Sequence, residues 1–195
     1  MEFNQNSTTY YLNKKTYVNL RWIGIIGQLL TINSVKFVFD FDFHHIIANL
    51  IVIVGIFSNL FLIYFYKKQQ LSNRSAFNFL LIDIIQLTLL LYLTGGILNP
   101  FSIFLLIPTV FSSSTLDIKT NLILISITIL SIILLTFFSH ELPKPLNEFE
   151  VNIYYYYSIP LSLIIALIFL NYFAITFGKE SGLRKEALDK IQEVI

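Results

Sequence analysis

The apolar residues of this chain fall in blocks of roughly 18 to 22, broken by short polar stretches, and do not follow the three-and-four spacing of a helix with one wet face. Blocks of that length match the roughly 20 residues a helix needs to cross a bilayer. Only 13% of residues are charged and 55% are hydrophobic. A soluble domain carries about 25% charged residues, so a water-soluble globule is excluded. Six blocks take about 120 of the 195 residues, leaving too little for a folded soluble domain beside them. The net charge of +1 argues against a strongly basic nucleic-acid binder. With no Cys, the chain holds neither a disulfide framework nor a thiolate metal site.

The expected fold is an all-α integral membrane protein of six transmembrane helices. The spans are placed at Val18–Phe39, Ile46–Tyr66, Ala76–Thr94, Pro100–Thr115, Asn121–Ser139 and Tyr154–Phe177. Residues 1–17 are polar, hold Lys14 and Lys15, and show no signal peptide, so they read as a cytoplasmic tail before a six-helix bundle at 18–177. With the amino terminus inside, eleven of the 13 basic residues fall on the inner side, leaving Lys36 and Lys144 outside. The positive-inside rule then puts both termini in the cytoplasm. Arg21 and Trp22, the Phe37–Phe43 run and Tyr154–Tyr157 read as anchors at span ends. Gly24, Gly27 and Gln28 read as helix-packing positions of the first span.

After Phe177 the composition switches to GKESGLRKEALDKIQEVI, with Leu183, Ala187, Leu188, Ile191, Val194 and Ile195 at helical spacing. Residues 178–195 are thus expected to form a C-terminal amphipathic helix in the cytoplasm. Its apolar stripe runs to Ile195 without a capping signal, which favours continuation into something beyond this chain. A tail lying on the membrane surface is the alternative.

Asp83 to Thr115 holds the residues with the most specific spacing. Gly95 and Gly96 are helix-stop residues, Asn99 is a ready N-cap, and Pro100 suits a first helical position. This predicts a tight turn at the outer face. About four N–H groups at a bare helix start lack partners, so a carbonyl or semiquinone oxygen arriving from the lipid could bind there. Glycines let a flat ring approach the backbone, and Tyr92 and Phe101 could sandwich it. A plain helix-turn-helix accounts for the same residues. Asp83, Gln86 and Thr94 share one helix face, and Asp83 is the one acid well inside a span. Its burial costs several kcal/mol unless it is paired or neutralised, so it should face the bundle interior. It lies roughly 16 Å from Thr94 by helical rise, too far to touch a ring at the turn.

The stretches LRWIGIIGQLL (Leu20 to Leu30) and DIIQLTLLLYLTGGILNPFSIFLLIP (Asp83 to Pro108) resemble the membrane sensor part of the RegB/PrrB/ActS redox-responsive histidine kinases. The GGxxNPF element is complete here as Gly95, Gly96, Asn99, Pro100 and Phe101, between spans three and four. The resemblance implies a six-span sensor in the bacterial inner (plasma) membrane that binds ubiquinone at this turn. It also implies a homodimer signalling to a cytoplasmic kinase module and a response regulator, with no nucleic acid and no metal involved. The chain lacks the phosphotransfer helix pair, the ATP-binding domain and the family's cytoplasmic cysteine, so by itself it is not expected to be an enzyme.

Other features carry less. HELPKP at His140 to Pro145 mimics a phospho-acceptor pattern but falls in an expected outer loop, away from ATP. Asn6, Ser7 and Thr8 form an idle glycosylation pattern. His44 and His45 beside Asp40 and Asp42 read as a solvated turn, because adjacent histidines cannot usually both point at one ion. The competing functions are a small proton-coupled transporter or membrane enzyme using Asp83, and a structural subunit of a membrane complex.

Overall fold

The computed structural model describes residues 12–141 and, further on, 156–157, 159–161, 163–168, 170–172 and 174–175. Among these, a two-residue strand β1 (Leu12–Asn13) leads into α1 (Lys14–Phe37), followed by α2 (His45–Phe65), a two-residue β2 (Gln70–Leu71) and α3 (Asn73–Leu93). Two short 3-10 turns, Gly96–Leu98 and Pro100–Leu105, lead into α4 (Leu106–Thr115), and α5 (Ile118–Phe137) follows. A sixth apolar helical stretch runs over Ile159–Tyr172. The first five expected spans are thus recovered to within about a turn, and the fourth, with its 3-10 start, has the expected ends. The amphipathic segment 178–195, the Asn6–Thr8 pattern, Lys144 and Tyr154 lie outside the described residues.

α2, α3 and α5 are long and apolar enough to cross a membrane by themselves. α1 has the length, at 24 residues, but carries Lys14, Lys15, Arg21, Gln28, Asn33 and Lys36. Its polar side is turned inward, as the site below shows. α3 is central, touching α2, α4, α5 and both 3-10 turns, while α1 lies against α2. The buried apolar core draws on Leu62, Leu80, Ile84, Leu105, Leu124, Ile132 and Leu167. The outside is equally apolar, with Ile46, Leu50, Phe57, Phe61, Leu122 and Leu130 all exposed. Asn59, Thr109, Ser112, Asn121 and Thr128 are meanwhile buried. A polar interior inside an apolar surface is the arrangement expected when the solvent is lipid.

Local chemistry fixes the ends of the helices opposite the Gly95–Asn99 turn. Asn13 caps α1, its Oδ1 accepting from the N–H of Lys15 at 3.0 Å and of Thr16 at 3.3 Å. Lys14 reaches the end of α2, its Nζ donating to the carbonyls of Ile63 (2.9 Å) and Tyr66 (2.5 Å). A cation on the last carbonyls of a helix also complements its dipole. β1 pairs antiparallel with β2, Leu12 opposite Leu71, so the chain before α1 is stitched to the α2–α3 connection. Asn73 Nδ2 donates to the Asp117 carboxylate and, at 2.8 Å, to the Thr120 hydroxyl, joining the starts of α3 and α5.

The expectation that Gly24 and Gly27 mediate close packing is corrected. A Cβ at either would meet nothing within 4 Å, because both lie on the outward side of α1. The close approach is at Gly55 of α2, where a Cβ would collide with the Gln86 amide. Small size matters where a partner side chain lies across the backbone, and sequence spacing does not say on which face that occurs.

Candidate functional site

The turn after α3 is built by local backbone demands. Gly95 (φ 108°) and Gly96 (φ 59°) both have positive φ, the region that favours glycine. At Gly96 space forbids a side chain as well, since a Cβ would run into Ser139 and approach the Leu135 carbonyl to 2.7 Å. Asn99 then closes the turn with both ends of its amide. Its Nδ2 donates to the Thr94 carbonyl (2.9 Å) and hydroxyl oxygen (2.7 Å), and its Oδ1 accepts from the Phe101 N–H at 2.9 Å. Pro100 occupies the first position of the 3-10 turn that follows. Thr94, expected on the polar face, donates its own hydroxyl hydrogen bond back to the Leu90 carbonyl at 2.8 Å.

One expectation about this turn changes. The start of the fourth span is not bare: Phe101 N–H is held by Asn99, and Ser102 N–H donates to the Asn99 carbonyl at 2.9 Å. The Asn99 and Leu98 N–H groups donate to Gly96 and Gly95 carbonyls. The turn is therefore a closed scaffold, with Pro100 and two aromatic rings among its exposed groups. Tyr92 and Phe101 are each 40% exposed. They belong to separate pairs, Tyr92 standing edge-on to His140 with ring centres 5.0 Å apart and Phe101 tilted against Phe104 at 5.7 Å.

Asp83 does face the interior, where α1 supplies its partners. Arg21 Nε and Nη2 lie 2.9 and 2.8 Å from Oδ1, and Tyr17 donates its hydroxyl to Oδ2 at 2.6 Å. Arg21 Nη2 also donates to Ser58 of α2 at 3.1 Å, and the guanidinium stands over the rings of Tyr17 and Phe79. Arg21 is only 7% exposed, so its expected role as a span-end anchor is corrected to that of a buried counter-ion. A buried carboxylate needs a cation more than the headgroups need one further arginine. Further along α1, Gln28 repeats the pattern: its Oε1 accepts from Gln86 Nε2 of α3 at 2.9 Å. Asn33 and Asn49 exchange amide bonds at 3.1 and 3.3 Å. Polar contacts thus run along the whole seam of α1 with α2 and α3.

Tyr17 and Arg21 are the residues that sequence reasoning missed at this site. The available signal was that a carboxylate inside a span needs a cation, and Arg21 falls within the expected first span. The structure also brings His140, from the stretch after α5, against His44 at the start of α2, with ring centres 5.1 Å apart. Nothing in the sequence links those two positions.

Residues 17–183 match the PilS-like transmembrane domain family. The chain belongs to this family. It is also 30% identical over 165 residues to the sensor histidine kinase RegB of Cereibacter sphaeroides, an overlap of 82% of this chain and 35% of that protein. The chain therefore spans about a third of the kinase's length. No solved structure matches. As a PilS-like domain the chain is a multi-pass membrane protein, and its matched range takes in the turn, the Arg21–Asp83 pair and the sixth helical stretch.

Proposed function

We propose that this PilS-like domain is the membrane sensor of a two-component histidine kinase and that it binds ubiquinone at the Gly95–Phe101 turn. The observation that carries the reading is the turn itself. Two positive-φ glycines and a doubly bonded Asn99 hold a rigid backbone edge, with Tyr92 and Phe101 exposed beside it. A flat ring seated there has aromatic faces on hand, worth about 0.5–1.5 kcal/mol per pair. Since Asn99 is spent on the scaffold, its role is to hold the turn, while Phe101 and Tyr92 make the contact. The relationship to RegB supplies the signalling context.

Both termini lie in the cytoplasm in this reading, which puts the turn outside and the Arg21–Asp83 pair in the inner half. In this reading two copies act together, residues 178–195 lead on to the kinase module, and a response regulator completes the relay. Bound quinone acts through α3, which carries Tyr92 at one end and Asp83 and Gln86 further in. It shifts the signalling equilibrium only by binding the two states unequally. A proton-carrying role for Asp83 is less well supported, because Arg21 and Tyr17 already satisfy its carboxylate.

The test is titration of the chain in lipid nanodiscs with a short-chain ubiquinone analogue, followed by the fluorescence of Trp22, the chain's single tryptophan. Trp22 packs against the core far from the turn, so a saturable change reports transmission as well as binding. Phe101→Ala should weaken the midpoint about fivefold, the equivalent of roughly 1 kcal/mol of ring contact. Wild-type affinity in both Phe101→Ala and Asn99→Ala would remove the turn as the site.

A further inference from the structure

We propose that His44 and His140 form a two-imidazole binding site for a divalent transition-metal ion of the zinc type, at the turn end of the bundle. The chain has three histidines and no cysteine, so any such site must be built on imidazole nitrogen, which suits zinc, copper or nickel. His44 and His45 are adjacent and diverge. His45 turns to the rings of Phe37 and Phe43, 6.0 and 6.3 Å between centres, while His44 meets His140 at 5.1 Å with the planes 41° apart.

That separation is the one a shared ion would impose. Zinc binds imidazole nitrogen at about 2.0–2.1 Å, which places the ion roughly 3.2 Å from each ring centre. At a tetrahedral angle the two centres then lie about 5.2 Å apart. The two histidines already stand at this spacing. Their backbones are tied down. His140 N–H donates to the Tyr92 carbonyl at 2.9 Å, and the His44 carbonyl accepts from Ala48 N–H at 3.0 Å in the first turn of α2. Both residues are exposed, so water can complete the coordination. Among the described residues no group of three His, Cys, Asp or Glu gathers as a ligand set, so the site is an open one with two protein ligands. A bound ion would fasten the α1–α2 connection to the stretch after α5 and, through the ring contact of His140, to Tyr92. The site stands on these histidines alone and does not depend on quinone binding.

The experiment is calorimetric titration of zinc chloride into the full chain at pH 7.5, purified through a tag without histidine. Wild type should take up one zinc per chain saturably. His44→Ala and His140→Ala should each weaken uptake tenfold or more, and His45→Ala should leave it unchanged. Added zinc should raise the melting temperature of wild type and His45→Ala only, and the zinc-free melts show that each variant is folded. Substituting Cu2+ should give an electron paramagnetic resonance spectrum with two nitrogen ligands. Absence of saturable uptake up to millimolar zinc overturns the proposal. So does uptake that survives His140→Ala, or a loss in His45→Ala equal to that in His44→Ala.

Discussion

Replacing Asp83 by Ala should be among the most damaging single changes in this chain, and the reason lies in what it leaves behind. Arg21 is 7% exposed, and three of its contacts surround the site: Asp83 at 2.8 and 2.9 Å, Ser58 at 3.1 Å, and the faces of Tyr17 and Phe79. Its Nη1 already has no hydrogen-bond partner among the described residues. Without the carboxylate, a guanidinium stays buried with one neutral acceptor, and Tyr17 loses the acceptor of its 2.6 Å bond. Removing one partner of a buried ion pair costs about 3–5 kcal/mol. For a chain of this size that is a fall in melting temperature of roughly 6 to 20 °C, at 2–4 °C per kcal/mol. Removing both charges behaves differently, since an apolar replacement of similar volume leaves no buried charge unpaired, only the Tyr17 hydroxyl. Arg21→Met with Asp83→Leu should therefore recover most of the loss, giving a coupling of about 2 kcal/mol or more. The assay is reversible unfolding in mixed micelles, with the four corners of the Arg21 and Asp83 cycle measured together. A cost below about 1 kcal/mol for Asp83→Ala, the size expected of an exposed pair, would refute the account of a dry, mutually dependent pair.

Four glycine positions separate conformation from packing. Gly96→Ala should cost at least about 2 kcal/mol, from a positive φ together with the collision at Ser139 and Leu135, and should lower the melting temperature accordingly. Gly24→Ala and Gly27→Ala should be neutral or stabilising by up to about 1 kcal/mol in the same melt, since each gains helix propensity and meets no neighbour. Gly55→Ala should destabilise through the Gln86 amide, and adding Gln86→Ala should restore part of the loss. Asn99→Ala should lower the melting temperature by an amount corresponding to about 1–2 kcal/mol, because the Phe101 N–H loses its cap and the Thr94 oxygens their donor. Phe101→Ala should affect quinone affinity with a smaller effect on the melt, because its ring is 40% exposed.

The sequence by itself determined the approximate limits of the first five apolar helices and the backbone reversal at the turn. Span length is set by bilayer thickness, and the Gly95–Gly96 reversal with Asn99 and Pro100 is set by which backbones those residues permit. Both are properties of contiguous residues. Tertiary structure alone decided the partnerships across helices. Asp83 announced that it needed a partner, yet the rotation and depth of α1 made that partner Arg21, which by sequence looked like an anchor. The same rotation turned Gly24 and Gly27 outward and left Gly55 under the Gln86 amide. It was packing, too, that set His140 against His44 across 96 residues of chain. A residue's position in sequence fixes its place along a helix, but the face it presents to a neighbour is settled only when the helices dock.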